Sequence, residues 1–359
     1  MKILITGGHI TPALAIIDEL QSSKKEAKIV FVGRKHAIDK EKVISFEYQE
    51  TVKRKVPFIN IDAGRLSRII SLRSFIKFIK FPLGIYQAFV ILKKEKPDKI
   101  LTFGSYVGLP VCLAAYFYRI PIYIHEQTIA PGLANKIISL WAKKVFCSFR
   151  ESLAVFPKSK TVFSGNPVRK EIFLIKKRLK LKKDRPVIYV TGGSTCSHSI
   201  NLHIEKIIDK LLDKYTVIHQ TGETKQYKDY ERLSQIKNSN YFLAKYFFDD
   251  QIGFVFSISD LVVSRVGANT FFELLVLKKP AIFIPLPWSA NHEQLKQGDF
   301  FKKNRLGEIF DQDQPSDQLL ILIDKTMAGL DQYKNNFNQL KYLNEPNSAK
   351  VIISEIFKD

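Results

Sequence analysis

Short apolar segments alternate along the whole chain with longer stretches of helical periodicity. Each segment is three to five residues long and rich in Val, Ile, Leu and Phe, which is typical of strands buried on both faces of a parallel sheet. One series of predicted strands covers 2–6, 28–32, 58–61, 99–103, 122–125, 144–147 and 161–163. A second series covers 187–191, 216–220, 241–244, 261–264, 281–284 and 307–309. Two series of strands that alternate with helices predict two doubly wound α/β domains.

The two series meet in residues 164–186, which contain a lysine-rich run over 176–183. Directly after this junction, the strand over 187–191 leads into Gly192 and Gly193, as the first strand leads into Gly7 and Gly8. The repeated order of strand, glycine turn and helix indicates two halves of similar fold. We therefore expect one domain over 1–163 and a second over 164–339.

Composition narrows the class of protein. The 359 residues are 45% apolar and 25% charged, which excludes global disorder. Lys and Arg number 56 against 35 Asp and Glu, a net charge of +21, which favours nucleic acid, a phosphorylated substrate or an anionic lipid surface as partner. A lineage of generally basic proteins is the alternative. The three cysteines lack disulfide and zinc spacing, and no run of about 18 apolar residues occurs, which predicts a soluble cytoplasmic protein.

Open parallel sheets bind ligands beyond the carboxyl ends of their strands, so the loops there are candidate sites. In the first half, Gly-Gly-His at 7–9 opens a helix, where free N–H groups suit phosphate oxygens and His9 adds a titratable group. A tight turn with a helix-capping histidine would use the same residues. A second glycine turn lies at 104–106, and a third polar loop begins with His-Glu-Gln at 125–127. Polar residues directly after an apolar strand favour a functional role.

The second half carries a matching set of loops. Gly-Gly-Ser-Thr at 192–195 opens one helix, and Arg265 and Gly267 precede another, where they could hold a diphosphate. Glu273, one turn into that helix, could accept hydrogen bonds from ribose hydroxyls. A solvated helical carboxylate is the alternative for Glu273. The amide-rich loop over 291–294 suits sugar hydroxyls.

Together these loops resemble the MurG family of glycosyltransferases, in order and with similar spacing from Ile3 to about Ile353. The most specific motifs are His-Glu-Gln at 125–127, Gly-Asn-Pro-Val-Arg at 165–169, His-Gln-Thr-Gly at 219–222, Phe-Asp-Asp at 248–250 and Ser-Arg-Val-Gly-Ala-Asn-Thr at 264–270. The resemblance implies a GT-B fold of two Rossmann-like domains facing across a cleft, with a last helix, about 340–359, packing back on the first domain. It also implies inverting transfer of N-acetylglucosamine from UDP-N-acetylglucosamine to the C4 hydroxyl of lipid I (undecaprenyl-diphosphate-MurNAc-pentapeptide). The product would be β-1,4-linked lipid II for peptidoglycan synthesis.

The resemblance also assigns residues to each substrate. The implied donor-binding residues are Arg169, Ser194, Phe247, Phe248, Arg265, Gly267, Ala268, Asn269, Thr270, Glu273, His292, Glu293 and Gln294. The implied acceptor-binding residues are Gly7, Gly8, Thr11, Gly104, Ser105, Tyr106, Gln127 and Asn135. The family usually has a longer first loop, Gly-Gly-Gly-Thr-Gly-Gly-His, and this chain keeps only its end. The acceptor diphosphate contact is therefore the part of the resemblance that this sequence supports least.

For the chemistry, we expect His9 to be the catalytic base, with His125 or Glu126 as the alternative or as an orienting partner. Arg265 and the helix start near Asn269 would stabilise the departing UDP without a cofactor or metal ion. Asp311 and Asp313 are interpreted as a surface turn rather than a metal site.

A lipid acceptor requires contact with the anionic inner face of the cytoplasmic membrane, so we expect a peripheral protein there. A patch of basic and large apolar residues fits this role: Arg73, Phe75, Ile76, Lys77, Phe78, Ile79, Lys80 and Phe81. A core-facing helix with a basic outer face is the alternative for this segment. For the protein, the alternatives are another GT-B enzyme, such as a glycolipid glycosyltransferase or a UDP-sugar epimerase, and a basic nucleic-acid-binding protein. The MurG resemblance predicts no nucleic acid partner.

Overall fold

A computed structural model describes residues 1–23, 26–38, 43–63, 72–181, 184–193, 196–223, 226–289, 292–340 and 347–358. The side chains at 37, 38, 43 and 72–81 are outside that description. The chain forms two compact units. Unit 1 comprises Met1–Arg169 and Pro346–Asp359, and unit 2 comprises Lys170–Glu345.

Unit 1 contains a main parallel sheet and a separate antiparallel pair of strands. Its strands are β1 (Lys2–Thr6), β2 (Lys28–Gly33), the antiparallel pair β3 (His36–Ile38) and β4 (Val43–Ile44), β5 (Phe58–Asn60), β6 (Lys99–Thr102), β7 (Ile122–Glu126), β8 (Lys144–Cys147) and β9 (Thr161–Phe163). Among the described residues the main sheet has the order β5-β2-β1-β6-β7-β8-β9, with all of these pairs parallel. Since β1 lies inside the sheet, Leu4 and Ile5 are fully buried, one on each face.

Helices cover both faces of this sheet. They are α1 (Ile10–Ser22), α2 (Phe46–Lys53), α3 (Leu72–Glu95), α4 (Ser105–Phe117), α5 (Leu133–Ser139) and α6 (Arg150–Leu153), with a short 3-10 turn at Lys158–Lys160. The core on one face joins α3, α4 and α5 to the sheet. The core on the other face includes α1. Buried helices on both faces explain why the strands read as continuous apolar runs.

Unit 2 repeats the plan with a second parallel sheet. Its strands are β10 (Val187–Thr191), β11 (Thr216–Gln220), β12 (Tyr241–Ala244), β13 (Leu261–Ser264), β14 (Ala281–Phe283) and β15 (Gly307–Ile309). Their order within the described residues is β12-β11-β10-β13-β14-β15. The helices are α7 (His198–Leu212), α8 (Asp229–Leu233), α9 (Ile252–Ile258), α10 (Ala268–Val276), α11 (Glu293–Lys303), α12 (Ser316–Ala328) and α13 (Leu330–Asn336), with 3-10 turns at Lys170–Phe173 and Phe337–Gln339.

The last helix, α14 (Ser348–Lys358), belongs to unit 1 and packs against α1. Ile352, Ile353 and Ile356 enter the same core as α1. Lys144 pairs with Glu355 at 2.8 Å between Nζ and Oε2. The chain thus returns to its first unit after completing the second.

The structure agrees with the α/β class and with all thirteen predicted strands, each to within one residue at its ends. The β3–β4 pair was not predicted. The two units divide at 169/170 rather than at the expected 163/164. Contacts with unit 1 continue past β9, since the Ser164 N–H donates to the Cys147 carbonyl at 3.0 Å and the Ser148 hydroxyl donates to Asn166 Oδ1 at 3.3 Å. Within the described residues, no helix combines the length and the apolar character needed to span a bilayer.

Candidate active site

The loop between β1 and α1 is fixed by its glycines. The Gly7 N–H donates to the Val32 carbonyl at 3.2 Å. A Cβ on Gly8 would lie 2.2 Å from the Phe103 carbonyl oxygen, so only glycine fits there. His9 occupies the N-cap position of α1, and its side chain makes no capping hydrogen bond. Since the residue is also exposed, its imidazole is not explained by capping or by core packing.

Glu126, at the end of β7, organises the loop that follows. Its Oε1 accepts hydrogen bonds from the backbone N–H and the hydroxyl of Thr128, at 2.9 and 2.8 Å. Its Oε2 accepts from the Gly132 N–H at 3.2 Å and from Asn135 Nδ2 at 2.8 Å. Both carboxylate oxygens of this buried side chain are therefore occupied by hydrogen bonds from the loop.

Asn135 in turn lies against the second glycine turn. A Cβ on Gly104, whose φ is +80°, would meet the Asn135 Oδ1 at 2.4 Å. The next residue, Ser105, donates from Oγ to the Gly7 carbonyl at 3.3 Å. The second glycine turn thus contacts both the loop after β1 and Asn135, which is hydrogen-bonded to Glu126.

His125 points into the protein interior. Its Nε2 lies 3.1 Å from the Ser148 hydroxyl and 3.3 Å from the Gly165 carbonyl oxygen. Burial lowers the pKa of His125 to about 3, and the nearby His9 lowers it further, while the Gly165 carbonyl acts in the opposite direction. His125 is therefore neutral at physiological pH, and it is too weak a base to be the better candidate.

His9 has a different electrostatic setting. Although solvent reaches the residue, the protein around the imidazole desolvates it and lowers its pKa below the ordinary value, and the Glu126 carboxylate partly offsets that effect. The imidazole is consequently neutral near pH 7 and able to accept a proton. The structure brings His9 within electrostatic range of both Glu126 and His125. Because the surroundings of the three side chains differ, their suitability as a catalytic base differs too.

The remaining predicted acceptor residues surround this group. Thr11 is half-buried in the first turn of α1, Tyr106 is half-buried in the first turn of α4, and Gln127 is buried beside Glu126. The Arg34 guanidinium carbon lies 5.1 Å from the centre of the Tyr106 ring. Arg34 was not singled out from the sequence.

In unit 2, the central predicted residue is Arg265, directly after β13. Its side chain is buried and makes five hydrogen bonds to neutral oxygens. These are Nε to Ser197 Oγ at 3.2 Å, Nη1 to the carbonyls of Ile284 and Pro285 at 2.8 and 3.2 Å, and Nη2 to Ser199 Oγ and Gln312 Oε1 at 2.6 and 2.8 Å. Burial lowers the pKa of Arg265 to about 10. Among the described residues, the partners of this buried cation are all neutral, which favours an anion nearby.

The start of α10 lies next to this arginine. Gly267 is its N-cap, and Ala268, Asn269 and Thr270 form a half-buried first turn. A Cβ on Gly193 would lie 3.9 Å from the Thr270 hydroxyl, so the glycine loop after β10 adjoins this helix start. Ser194 lies outside the described residues.

The structure also shows where two further predicted donor-binding residues lie, Glu273 and Arg169. Glu273 is buried one turn into α10, which excludes the solvated carboxylate considered from the sequence. Arg169 ends the first segment of unit 1, just before the chain enters unit 2, whereas the expected boundary put it in the donor domain.

The third donor segment begins α11. His292 is exposed, with a left-handed backbone at φ +53°. Glu293 Oε1 accepts from Gln297 at 3.3 Å, and Gln294 Oε1 accepts from the Leu286 N–H at 3.0 Å. Gln294 thereby ties the start of α11 to the loop after β14.

Gln220, at the end of β11, has a role that sequence reasoning missed. Its Oε1 accepts from the Phe247 N–H at 3.1 Å, and its Nε2 donates to Thr191 Oγ1 at 3.2 Å and to the Gly193 carbonyl at 3.4 Å. Phe247 is buried, while Phe248 is 67% exposed. Gln220 thus connects the loop after β12 with the glycine loop after β10. Its place in the motif at 219–222 was the only signal.

The predicted membrane patch lies on α3, but its side chains fall outside the described ones. Farther along α3, Tyr86 is 66% exposed and Val90 is 48% exposed. At the end of α4, Tyr116 and Phe117 are 52% and 65% exposed. Phe89 of α3 packs against Phe117 with ring centres 5.8 Å apart, so the two exposed groups form one apolar surface.

Comparisons with known proteins place the chain in a family. Its residues 6–147 match the glycosyltransferase family 28 N-terminal domain, and residues 187–352 match the glycosyltransferase family 28 C-terminal domain. A Treponema denticola protein is 35% identical over 318 residues, covering 85% of this chain and 81% of its own. A Clostridium perfringens protein is 32% identical over 360 residues, covering 98% and 94%. Both are named UDP-N-acetylglucosamine–N-acetylmuramyl-(pentapeptide) pyrophosphoryl-undecaprenol N-acetylglucosamine transferase.

The chain belongs to the MurG family of glycosyltransferases. The crystal structure of Acinetobacter baumannii MurG superposes with a TM-score of 0.75 at 22% identity, covering 100% of this chain and 99% of that one. That likeness supports the GT-B fold. The family relationship favours a MurG-type transferase over the epimerase, the other glycolipid enzymes and the nucleic-acid-binding protein considered from the sequence.

Proposed function

We propose that this protein transfers N-acetylglucosamine from UDP-N-acetylglucosamine to the C4 hydroxyl of lipid I, with inversion and without a metal ion. The observation that carries the proposal is sequence identity of 35% and 32%, over most of both chains, to two proteins named for this reaction. The polar loops of unit 1 are held together by a carboxylate, whereas those of unit 2 are held together by a guanidinium. This difference is consistent with separate acceptor and donor subsites.

In the proposed reaction, His9 accepts the proton of the acceptor hydroxyl. The hydroxyl oxygen forms a bond to the anomeric carbon, and the bond from that carbon to the β-phosphate oxygen breaks, so UDP leaves with the electron pair. Inversion follows from a single in-line displacement. A neutral imidazole with a lowered pKa, in the field of the Glu126 carboxylate, suits this step. Glu126 acts as a positioning residue, because its oxygens already accept four hydrogen bonds.

Unit 2 would bind the donor and stabilise the negative charge that develops on UDP. We assign the diphosphate to the first turn of α10 and the glycine loop after β10. The N–H groups of Arg265 are engaged within the protein, so it would act through its charge and by fixing the loops around it. Glu273 would receive the ribose, the backbone near Phe247 the uracil, and the residues at 292–294 the sugar.

The acceptor lipid requires docking at the inner face of the cytoplasmic membrane. We assign this to the surface that combines the predicted patch on α3 with Tyr86, Val90, Tyr116 and Phe117. Amphipathic aromatic rings and nearby lysines suit the boundary between headgroups and acyl chains. Changing Tyr86, Val90 and Phe117 together to Ser should weaken sedimentation with anionic vesicles, whereas the same changes should leave binding of UDP-N-acetylglucosamine intact. Unchanged sedimentation would contradict this assignment.

The decisive experiment supplies purified protein with UDP-N-acetylglucosamine and a lipid I analogue in the presence of EDTA. We expect UDP release matched by a β-1,4-linked disaccharide, with UDP-glucose turned over far more slowly. Donor binding without disaccharide formation would contradict the assigned acceptor. A reaction abolished by EDTA and restored by a divalent cation would contradict the metal-independent mechanism.

A further inference from the structure

The loop after β1 offers few backbone donors for a phosphate group. Three residues, Gly7 to His9, separate β1 from α1. The Gly7 N–H already donates to the Val32 carbonyl, and Pro12 in the first turn of α1 has no N–H. A further source of positive charge or hydrogen-bond donors would therefore strengthen the binding of a diphosphate at this helix start.

Arg34 is placed to supply both. It directly follows β2, whereas Tyr106 lies in the α4 turn that follows β6. In the sheet, β2 and β6 are the two neighbours of β1. Because the guanidinium carbon of Arg34 is 5.1 Å from the centre of the Tyr106 ring, the side chain reaches from the end of β2 to the start of α4, across the carboxyl end of β1.

The surroundings of Arg34 leave its charge available. Its backbone N–H donates to Glu47 Oε1, and Glu47 packs against Gly7 and Gly33, where a Cβ would lie 3.1 and 2.9 Å from its carboxylate oxygens. In the part of the chain that the structure describes, no carboxylate forms an ion pair with the guanidinium. Burial raises the pKa of Glu47, while Arg34 opposes that shift. A guanidinium on an aromatic face keeps its N–H groups in the plane of the fork, directed outward.

We propose that Arg34, supported on the Tyr106 ring, binds the diphosphate of the acceptor. The bidentate N–H groups of Arg34 match two phosphate oxygens and replace backbone donors that the short loop at 7–9 does not provide. This inference rests on the proposed function for the class of acceptor. It adds a specificity-determining residue to unit 1.

The test compares a lipid-diphosphate-linked sugar acceptor with the same molecule carrying a monophosphate. Wild-type protein should prefer the diphosphate, and Arg34→Ala should raise KM for the diphosphate acceptor by about tenfold or more, the size of a charge-assisted hydrogen bond. The preference over the monophosphate should largely disappear. KM for UDP-N-acetylglucosamine should stay within about twofold, because the donor is assigned to unit 2. Arg34→Lys should recover part of the loss, and Tyr106→Phe should retain most of the wild-type preference.

The matched control is Lys35→Ala, which removes the same charge one residue farther along, where the ammonium lies over Tyr48 instead. If Lys35→Ala raised the acceptor KM as much as Arg34→Ala, general charge would account for the effect and the proposal would be wrong. An unchanged diphosphate preference in Arg34→Ala would also overturn it. Equilibrium binding of the two acceptors without donor gives the same comparison independently of turnover. If wild-type protein forms no disaccharide, the proposed function fails, whereas product formation with an unaltered Arg34→Ala preference refutes this inference alone.

Discussion

The two units place charges of opposite sign at equivalent ends of their sheets. In unit 1 the buried group is a carboxylate, Glu126, whose oxygens accept hydrogen bonds from the loop that follows it. In unit 2 it is a guanidinium, Arg265, which donates to oxygens of three separate loops. Both side chains hold loops together, but the fields that they create differ in sign.

The difference explains how one fold, present twice, can perform two tasks. A negative field beside His9 raises its affinity for a proton and so favours a base. A positive charge beside the first turn of α10 favours an anionic leaving group. Substitutions at the charged and titratable groups of each unit should therefore impair different steps.

Replacing the proposed base should have the largest effect. We expect His9→Ala to lower kcat by about 10²–10⁴-fold, because removal of a general base costs that much. Steady-state kinetics with a lipid I analogue would measure it. His36→Ala, another histidine of unit 1, is the control. Turnover of His9→Ala within about threefold of wild type would show that His9 is not the base.

Removing the cation of unit 2 should be the next largest perturbation. Arg265→Met keeps an unbranched apolar stem but removes the charge, and we expect kcat/KM for UDP-N-acetylglucosamine to fall by about 10²-fold. The kcat/KM of Arg265→Lys should lie between those of wild type and Arg265→Met, because lysine keeps the positive charge but lacks the planar guanidinium group. Thermal unfolding must be followed in parallel, because five acceptor oxygens lose their partner. A normal kcat/KM in a folded Arg265→Met protein would remove Arg265 from the account.

A smaller effect is expected at Gln220, which joins two donor loops without itself being charged. Gln220→Leu should raise KM for UDP-N-acetylglucosamine by about tenfold with kcat changed by less than about threefold, since the loops lose their common hydrogen-bond partner. Gln220→Glu should restore the contact to the Phe247 N–H but not those to Thr191 and Gly193. Gln235→Leu, an exposed glutamine of unit 2, is the control. A loss of thermal stability without any change in KM would assign Gln220 a purely structural role.

The smallest effect is a shift in pH dependence. His9 must be neutral to act as a base, so activity falls as pH drops through its pKa, which lies below the ordinary value near 6.5. Glu126 raises that pKa, and Glu126→Gln should therefore move the acid limb of kcat/KM to lower pH, by up to about one unit. A shift to higher pH, or no shift, would contradict the coupling between these two residues.

The fold could be predicted from the sequence because its strands are buried on both faces and read as apolar runs. The β3–β4 pair escaped prediction because it is short and His36 at its start gives no apolar signal. The loops that contain glycine, histidine or charged residues could also be predicted, since each of them directly follows a strand. In unit 1 the contact between Gly104 and Asn135 follows from that placement.

The connections made by neutral polar residues could not be predicted. Gln312 accepts a hydrogen bond from Arg265, 47 residues away in sequence, although its segment was interpreted only as a surface turn. Ser197 and Ser199 hold the same guanidinium. Such residues carry no periodic or charge signal, and the tertiary fold alone brings them together. For the same reason, the low basicity of His125 emerged only from its burial.

The division of tasks between the two units is tested most directly by calorimetric binding of UDP-N-acetylglucosamine to wild type, His9→Ala and Arg265→Met. We expect His9→Ala to bind the donor within about twofold of wild type while its turnover collapses, and Arg265→Met to bind it at least about tenfold more weakly. Equal weakening of donor binding in both variants, or wild-type binding by a folded Arg265→Met protein, would contradict it.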